Sequence, residues 1–373
     1  MHDSKDGSQR KLRVGILFGG KSAEHEVSLQ SAKNVLHALD TEKFEPVLIG
    51  IDKAGRWQFN VSQKSLEAGG ELALGGSATP AGLMPADTEQ YMGAVNQPLA
   101  DAALDVVFPV LHGTMGEDGS IQGLLELASI PYVGAGILSS AVGMDKDIMK
   151  RLLRDAGIAV ADYAVVRTAD LPDMELEELL ERLGLPLFVK PANMGSSVGV
   201  SKVATRGELV PAVREALLFD TKVLIERAIL GDEIECAVLG NEDPQASIIG
   251  RIIPPDGFYN YAAKYIDEQG ATLEIPAAIT PMVGENARRL AVQTFEVLGC
   301  EGMARVDMFA APDGQVIVNE INTIPGFTKI SMYPKLWEAS GVPYTELITR
   351  LLGLAIERFN RRQQLQTTYK DHL

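Results

Sequence analysis

The sequence predicts an α/β protein of several domains, the first of which contains a mostly parallel, doubly wound sheet. Two observations lead to this fold class. Apolar runs of strand length alternate with segments whose apolar residues recur at helical spacing, and the 373 residues exceed the length of one ordinary domain. In doubly wound sheets ligands bind beyond the carboxyl ends of the strands, so Glu24 and His112, which follow predicted strands, are candidates for that edge.

The first predicted unit covers residues 1–134 and begins with the continuous apolar run LRVGILF, which ends at two glycines. Its elements in order are a strand at 12–18, a helix at 27–39 and strands at 45–51 and 104–111. A stretch rich in Gly, Ala and Pro over 60–100 separates the last two strands and has no readable purpose.

The second unit is expected over 135–226 and the third over 227–373. The second contains in order a helix at 145–155, strands at 186–191 and 198–203, a helix at 207–218 and a strand at 222–226. The third contains two polar-faced strands and, around them, helices at 284–298 and 343–358, before a polar tail.

Composition excludes several classes of protein. Hydrophobic residues make up 46% and charged residues 23%, as in ordinary globular proteins, and the net charge of −16 argues against general binding of nucleic acid or anionic membrane. The polar N-terminus and the lack of an 18-residue apolar run favour a soluble, cytoplasmic protein. Cys236 and Cys300 show no metal-binding spacing and are expected to be reduced, structural thiols.

Two neighbouring strands near the C-terminus carry polar residues at alternating positions. Arg305 and Asp307 share one face of the strand GMARVDMFA, and Glu320 and Asn322 share one face of the next strand. If the strands form a hairpin, two carboxylates and an amide lie together and can hold Mg²⁺ beside a phosphate. The neighbouring Arg305 guanidinium can then meet the negative charge that develops on the transferred group. The alternative is two polar-faced strands whose charges are only solvated.

Two segments compete as the phosphate-binding element. Gly15 to Ser22 matches a P-loop pattern, but its intervening residues form the body of an apolar strand and leave no loop to wrap a phosphate. The better element is the strand ending at Lys190 and the small-residue turn after it, where the Ser196 and Ser197 amides could bond phosphoryl oxygens. An ordinary glycine-containing hairpin with an exposed lysine is the alternative.

The segment VLIERAI at 223–229 is an apolar strand that leads into an irregular hinge, with Glu233 shortly after it. A hinge peptide can bond adenine edges while a carboxylate takes ribose hydroxyls. An interdomain linker with surface acids is the alternative.

Two long motifs resemble the signatures of D-alanine:D-alanine ligases, which are ATP-grasp enzymes of cell-wall synthesis. They are HGTMGEDGSIQG at 112–123 and the stretch from Arg305 to Gly326, which ends in EINTIPG. The resemblance runs from about residue 12 to 355 in the same order and includes GGKSAEHEVS at 19–28, MDK at 144–146 and YNYAAKY at 259–265. It implies a three-domain ATP-grasp architecture with nucleotide held between the central and C-terminal domains.

The resemblance also implies roles for individual residues. Contacts to ATP are implied for Lys146, Lys190, Ser197, Glu226, Arg227, Ile229, Glu233, Tyr259 and Lys264. The metal ligands are Asp307, Glu320 and Asn322, with two Mg²⁺ or Mn²⁺ ions, and the oxyanion is met by Arg305 and the Gly326 amide. The resemblance implies that Glu24 grips the ammonium of the first D-alanine and that Ser331 and Lys264 grip the carboxylate of the second. The other substrate-binding residues that it implies are His112, Arg305, Gly326 and Met332.

A hydrogen-bonded set of Glu24, Ser196 and Tyr265 would close a lid over 254–276. His112 either deprotonates the incoming ammonium or only orients the substrate. Tyr265 favours an amine as the second substrate, because relatives that make D-alanyl-D-lactate lack it.

The implied function is ATP-dependent ligation of two D-alanine molecules through a D-alanyl phosphate, with a homodimer expected from the resemblance alone. A sibling ligase for D-lactate or D-serine and a regulatory module with an inactive nucleotide site are the rival hypotheses. The chain departs from many relatives at Arg227, where they have Lys, and at Asn193 and Met194, where charged residues are common.

Overall fold

The computed structural model describes residues 10–68, 80–81, 103–173, 176–253 and 272–366. These residues form an α/β structure whose strands make three sheets, each drawn from a successive stretch of the sequence. The sheets follow the order of the three predicted units, whose bounds stay a prediction.

The first sheet is mixed, with strand order β4-β3-β2-β1-β5 in the described ranges. Its strands are β1 (Leu12–Gly19), β2 (Phe44–Ile51), β3 (Trp57–Phe59), β4 (Pro80–Ala81) and β5 (Val106–Pro109). β1 is parallel to β2 and β5, as predicted, whereas β3 and β4 are antiparallel additions that were not predicted. The chain reverses after β2 because the Asp52 carboxylate accepts the amides of Ala54 and Arg56 in a tight turn.

Three helices accompany this sheet in the described part of the chain: α1 (His25–Ala38), α2 (Gln63–Ala68) and α3 (Ser120–Leu127). β1 contains Gly15 to Gly19 as regular, buried strand. The P-loop interpretation is therefore wrong, as the apolar composition of this run indicated, because a strand in mid-sheet cannot wrap a phosphate.

The second sheet is antiparallel, with strand order β6-β9-β7-β8. Its strands are β6 (Tyr163–Arg167), β7 (Leu187–Pro191), β8 (Ser201–Val203) and β9 (Lys222–Arg227). The helices of this stretch are α4 (Ile137–Met144), α5 (Lys146–Asp155), α6 (Leu176–Leu183) and α7 (Arg206–Ala216). β8 starts later than the predicted residue 198 because Ser197 and Gly199 have positive φ and form a turn.

The third sheet is also antiparallel, with strand order β12-β11-β10-β13-β14. Its strands are β10 (Asp232–Gly240), β11 (Gln245–Ile253), β12 (Thr272–Glu274), β13 (Gly302–Ala310) and β14 (Val316–Asn322). Its helices are α8 (Pro281–Val297), α9 (Met332–Ala339) and α10 (Tyr344–Gln363). β13 and β14 form the predicted antiparallel hairpin.

The last helix packs against the beginning of the chain. Leu347 and Leu351 of α10 belong to the same buried apolar cluster as Val14 and Ile16 of β1. The buried Arg358 donates to the carbonyls of Gly134 and Tyr132, and its guanidinium lies 4.4 Å from the centre of the Tyr132 ring. Contacts far apart in sequence thus join the first and third sheets.

Both cysteines are free and buried, and burial raises the pKa of each thiol to about 12, in agreement with structural thiols. Among the helices in the described ranges, none is long and apolar enough to span a membrane.

Candidate active site

The β13–β14 hairpin brings the four predicted polar residues together on one face. Arg305 pairs with Asn322 across the strands, and Asp307 pairs with Glu320. The Arg305 guanidinium donates to both oxygens of Asp307 at 2.7 Å, and the Asn322 amide donates to Asp307 Oδ2 at 3.0 Å. The two-residue periodicity of the sequence predicted this constellation correctly.

A β-bulge in this hairpin adds a polar residue that sequence reasoning missed. The register shifts between Asp307 and Met308, so Asn319 is the extra residue of β14. The bulge lets Asn319 Oδ1 accept a hydrogen bond from Lys190 Nζ at 3.2 Å. The hairpin is thereby joined to the end of β7 in the second sheet.

Glu235 is a second residue that was missed. It lies on β10, opposite Asp307 in the strand register, and its carboxylate is 2.9 Å from Arg305 Nε. Burial alone would lower the pKa of Arg305, but Asp307 and Glu235 raise it well above its ordinary value. Arg305 is therefore a permanently charged group held between two buried carboxylates.

The described residues contain no cluster of three or more His, Cys, Asp or Glu side chains that could hold a metal ion alone. The predicted ligands are two carboxylates, Asp307 and Glu320, and the Asn322 amide. Such hard oxygen donors are too few for a metal cage but suit Mg²⁺ that shares its coordination with phosphate oxygens.

A cavity of about 430 Å³ lies between the second and third sheets, and we call it the nucleotide cavity after the ligand that the family resemblance implies for its residues. The predicted residues that line it are Lys146, Lys190, Ser196, Ser197, Glu226, Arg227, Ile229, Glu233 and Glu320. Segments more than 170 residues apart thus meet at one cavity, which the resemblance implied and residue patterns alone could not show.

Lysines and one buried carboxylate form the inner wall of the nucleotide cavity. Lys190 Nζ lies 2.9 Å from Glu226 Oε2, while Lys146 donates to the Met194 carbonyl at 2.8 Å and lies 3.4 Å from Glu320. Lys150, which sequence reasoning missed, lies 3.3 Å from the same Glu226 oxygen. A signal for it existed, since Lys150 follows Lys146 by four residues and so shares its helical face.

Residues of the predicted hinge differ in where their side chains lie. The Glu226 carboxylate faces the lysines. Burial by itself would raise the pKa of Glu226, but the positive charges of Lys150 and Lys190 outweigh burial and lower the pKa below its ordinary value, so the carboxylate stays ionised. The Arg227 side chain instead donates to the carbonyls of Leu183 and Arg182 at the end of α6. The Arg227 amide donates to the Asp162 carbonyl at 2.9 Å, so both the side chain and the amide of this residue have partners within the second sheet and its helices.

The second cavity adjoins the first, with a volume of about 840 Å³, and we call it the acidic cavity. The predicted residues that line it are Glu24, His112, Ser196, Arg305, Glu320, Asn322, Gly326, Ser331 and Met332. Ser196 and Glu320 line both cavities. A ligand in one cavity therefore lies within reach of a ligand in the other.

Glu24 lies where three loops meet. Ser196 donates a short hydrogen bond to Glu24 Oε1. A Cβ added at Gly113 would come within 2.6 Å of Glu24 Oε2, and one at Gly195 within 3.1 Å of it, so both glycines allow the close approach. Two members of the predicted Glu24, Ser196 and Tyr265 set are thus in contact.

The turn that carries Ser196 has an unusual backbone. Ser196 and Ser197 have φ angles of 51° and 59°, in the left-handed region. Such strain costs on the order of 1 to 3 kcal/mol per residue and accumulates at functional sites. The strain supports a functional rather than a merely connecting turn.

His112 is buried and both of its ring nitrogens are hydrogen-bonded. Nδ1 lies 2.9 Å from the Ile324 carbonyl, which can only accept, so Nδ1 carries a proton and Nε2 faces the Ser31 hydroxyl at 2.9 Å. Ser31 Oγ also accepts the Phe327 amide at 3.2 Å. His112 therefore fixes the loop that carries Gly326.

Glu117, a further residue missed from sequence, lies beside His112 with its carboxylate 3.8 Å from Nδ1. Burial raises the pKa of Glu117 to about 7, against the effect of His112. Burial would lower the pKa of His112, but Glu117 raises it overall. The two groups share a site that retains a proton to higher pH than either group would alone in water.

The loop after β14 places the other predicted substrate groups. Ser331 Oγ accepts the Thr328 amide at 2.9 Å, and a Cβ added at Gly326 would come within 2.7 Å of the same oxygen. Gly326 thus has no room for a side chain, and it lines the acidic cavity.

Three predicted site residues, Tyr259, Lys264 and Tyr265, lie outside the described residues. Of the predicted lid at 254–276, the structure describes 272–276, where β12 pairs with β11.

The fold and the two adjoining cavities define a class of α/β protein with two neighbouring ligand pockets. Lys190 pairs with Glu226 in the wall of one cavity, and Arg305 lies between two carboxylates in the wall of the other. Family models described as D-ala D-ala ligase N-terminus and D-ala D-ala ligase C-terminus match residues 13–135 and 152–353. The chain belongs to the D-alanine–D-alanine ligase family, as its motifs implied.

Individual relatives support the same family. The chain is 54% identical to D-alanine–D-alanine ligase of Shouchella clausii, over 97% of this chain and 99% of that protein. It is also 54% identical to D-alanine–D-alanine ligase A of Escherichia coli strain K12, over 96% and 99%.

Solved structures of similar proteins have the same fold. The D-alanine–D-alanine ligase of Coxiella burnetii is 41% identical, with a TM-score of 0.80 and coverage of 95% of this chain and 96% of that chain. The VanG D-Ala:D-Ser ligase of Enterococcus faecalis is 34% identical, with a TM-score of 0.75 and coverage of 93% and 100%.

Proposed function

We propose that the protein is an ATP-dependent D-alanine:D-alanine ligase that supplies D-alanyl-D-alanine for peptidoglycan synthesis. The observation that carries the proposal is the pair of adjoining cavities, one with Lys146 and Lys190 in its wall and the other with Glu24 and Arg305, in a chain 54% identical to enzymes of that name. Cavities that share Ser196 and Glu320 let a phosphoryl group pass from one ligand to the other.

On the nucleotide side, Lys146 and Lys190 bind phosphate oxygens and the turn at Ser196 and Ser197 closes over them. The hinge from Glu226 to Ile229 binds adenine, and because the Arg227 side chain is used elsewhere, its contact is made through backbone. Glu233, which also lines the cavity, takes the ribose hydroxyls. Tyr259 and Lys264 complete this set as predictions from the family resemblance.

Magnesium fits beside these phosphates. Asp307, Glu320 and Asn322 would hold one or two Mg²⁺ or Mn²⁺ ions, because hard oxygen donors on one sheet face match their preference. When bound, the metal neutralises charge on the phosphates during transfer.

In the acidic cavity, Glu24 holds the ammonium of the first D-alanine. A carboxylate oxygen of this D-alanine attacks the terminal phosphorus of ATP, the bond from that phosphorus to the bridging oxygen breaks, and ADP leaves with the electron pair. The product is a D-alanyl phosphate. This step is needed because a carboxylate does not accept an amine at neutral pH.

The second D-alanine is held at its carboxylate by Ser331 and Lys264, with Met332 beside it. Its amine, once deprotonated, attacks the carbonyl carbon of the acyl phosphate. Arg305 and the Gly326 amide stabilise the resulting oxyanion, which collapses with release of phosphate. Closure of 254–276 excludes water, because acyl phosphates hydrolyse readily.

His112 orients the substrate loop in this proposal and does not act as the base. Its Nδ1 donates to Ile324 and its Nε2 faces Ser31, so in the neutral ring both nitrogens are already used. A His112→Gln variant that keeps hydrogen bonds at both positions is expected to keep most of the activity. A large loss in kcat with unchanged substrate affinity would instead assign it the proton transfer.

The remaining expectations extend the proposal. The three sheets correspond to the three domains of an ATP-grasp enzyme, 1–134, 135–226 and 227–373, with nucleotide held between the second and third. We place the enzyme in the cytoplasm, where ATP is present and where its two free cysteines stay reduced. We propose no nucleic acid or membrane as its partner. A homodimer stays a prediction from the family resemblance.

One assay tests the proposal. The protein is incubated with ATP, Mg²⁺ and D-alanine, and released phosphate and dipeptide are measured, with L-alanine, D-lactate and D-serine as parallel substrates. D-Serine is included because a D-Ala:D-Ser ligase has a similar structure. We expect stoichiometric phosphate and dipeptide from D-alanine and little product from D-lactate at neutral pH. No phosphate release with D-alanine contradicts the proposal, and preference for D-serine or D-lactate replaces it with the sibling function.

A further inference from the structure

Lys150 is a buried lysine that the proposed reaction leaves without a role. It lies on α5 one turn after Lys146, and its exposed fraction is 0%. A buried ammonium is strongly disfavoured unless an anion compensates it. An apolar residue at this helical position would avoid that cost, so the charge itself calls for an explanation.

The arrangement around Lys150 is two lysines on one carboxylate oxygen. Glu226 Oε2 lies 3.3 Å from Lys150 Nζ and 2.9 Å from Lys190 Nζ. Lys190 lines the nucleotide cavity, whereas Lys150 lies behind Glu226, outside the cavity wall. Of these two cations, Lys190 can reach a ligand and Lys150 cannot.

Binding of a nucleotide puts these charges in competition. For Lys190 to bind a phosphate oxygen, it must loosen its ion pair with Glu226. That would leave the Glu226 carboxylate, which is 4% exposed, uncompensated next to a triphosphate. A second cation that stays on Glu226 removes this penalty, and Lys150 is in position to be that cation.

We propose that Lys150 is a positioning residue for nucleotide binding: it holds the Glu226 carboxylate so that Lys190 can leave it and bind phosphate. The inference depends on the proposed function, since it assumes that phosphate enters this cavity. Burial lowers the pKa of Lys150 to about 8 despite the opposing charge of Glu226, so the ammonium is present at neutral pH. Lys150 thus acts through two other residues and touches no substrate.

The test is a set of calorimetric titrations with ATP and Mg²⁺ in the absence of D-alanine. In Lys150→Met, Lys190 remains the counter-cation of Glu226 and is held by it, so the Kd for ATP is expected to rise about tenfold or more. Adding Glu226→Gln to that variant releases Lys190 and is expected to recover at least about threefold of the loss. A merely structural lysine would lower the Tm but leave the Kd of the folded protein unchanged.

Arg151→Met is the matched control, because Arg151 is the next residue of α5, is about half exposed and pairs with Asp147 away from the cavity. Its Kd is expected to equal that of the unmodified protein. An unchanged Kd in Lys150→Met, or no recovery on adding Glu226→Gln, overturns the inference.

A second comparison covers the case in which Lys150→Met does not fold. Once Glu226 is neutral, the charge of Lys150 no longer matters, so Glu226→Gln and the double variant should have Kd values within about threefold of each other. A larger difference overturns the inference. Absence of ATP binding in the unmodified protein would instead contradict the proposed function, so the two failures are distinguishable.

Discussion

Two clusters of buried charge, one beside each cavity, contain the same kinds of groups in opposite proportions. Beside the nucleotide cavity, two lysines, Lys150 and Lys190, share the carboxylate of Glu226. In the acidic cavity, Arg305 lies between Glu235 and Asp307, so one cation serves two carboxylates. The first cluster therefore has one cation more than carboxylates, and the second has one carboxylate more than cations. The net charge of −16 says nothing about this division, which arises locally.

The largest expected effect comes from removing the single cation of the second cluster, Arg305. Arg305→Met leaves Asp307 and Glu235 without their shared partner and removes the proposed donor for the oxyanion, so kcat for dipeptide formation is expected to fall about 10² to 10³-fold. Steady-state kinetics and a thermal unfolding curve measure the change. Arg350→Met, which removes an exposed arginine paired within its own helix, serves as control. A loss of less than about threefold in kcat would contradict the role of Arg305.

Removing one of the two carboxylates should have a smaller effect. Glu235→Gln keeps the shape of the side chain but leaves Arg305 with Asp307, the proposed metal ligand, as its one remaining partner of these two carboxylates. We expect kcat to fall about tenfold while the KM for ATP stays within about twofold. Glu242→Gln, at an exposed position just after β10, should change neither constant. A rise in the KM for ATP with unchanged kcat would mean that Glu235 supports nucleotide binding and not the reaction in the acidic cavity.

The proton held by Glu117 and His112 makes the acidic cavity sensitive to pH. The pKa of Glu117 is raised from 4.5 to about 7, so between these values the folded protein binds more protons than the unfolded chain. This contribution to stability is present below pH 4.5 and is lost as the pH rises through about 7.

Glu117→Gln should remove that dependence. The difference in unfolding free energy between the variant and the unmodified protein is expected to change by on the order of 3 kcal/mol between pH 4.5 and pH 7, measured by urea titration. Glu126→Gln is the control, because that carboxylate lies on the outer side of α3 against Arg362. Parallel pH curves for Glu117→Gln and the unmodified protein would show that no proton is held there.

The smallest effect is expected at the apparent P-loop. The side chain of Lys21 lies over Gly55 in the turn after β2, away from the nucleotide cavity. Lys21→Ala should therefore leave the KM for ATP within about twofold. Lys190→Ala is the positive comparison, since it removes a cation from the cavity wall. A tenfold increase for Lys21→Ala would mean that the first sheet takes part in nucleotide binding.

The two strands that carry the site could be predicted from the sequence because their polar residues recur at every second position. Arg305 and Asp307, two residues apart on an apolar strand, had to share a face. Lys150 was equally accessible, one helical turn from Lys146, but was overlooked. The antiparallel β3 and β4 were not predicted, because the turn at Asp52 that reverses the chain gives little signal next to the insertion.

Other features depend on pairing that no local pattern contains. Glu235 reaches Arg305 from a strand some 70 residues earlier, and its alternation alone is the same as for a solvated acid. Asn319 turns towards Lys190 because of a bulge, which exists only once β13 and β14 are in register. The late start of β8 follows from the positive φ angles at Ser197 and Gly199, which shorten the strand.

The anchoring of Arg358 on Gly134 and Tyr132 also bears on synthesis by the ribosome. The sheet that contains β1 is among the first elements to be translated, yet Leu347 and Leu351, which cover part of its apolar surface, are among the last. The nascent chain must therefore carry an incompletely covered sheet through most of its elongation. Chaperone occupancy on this surface should end only when α10 has left the exit tunnel.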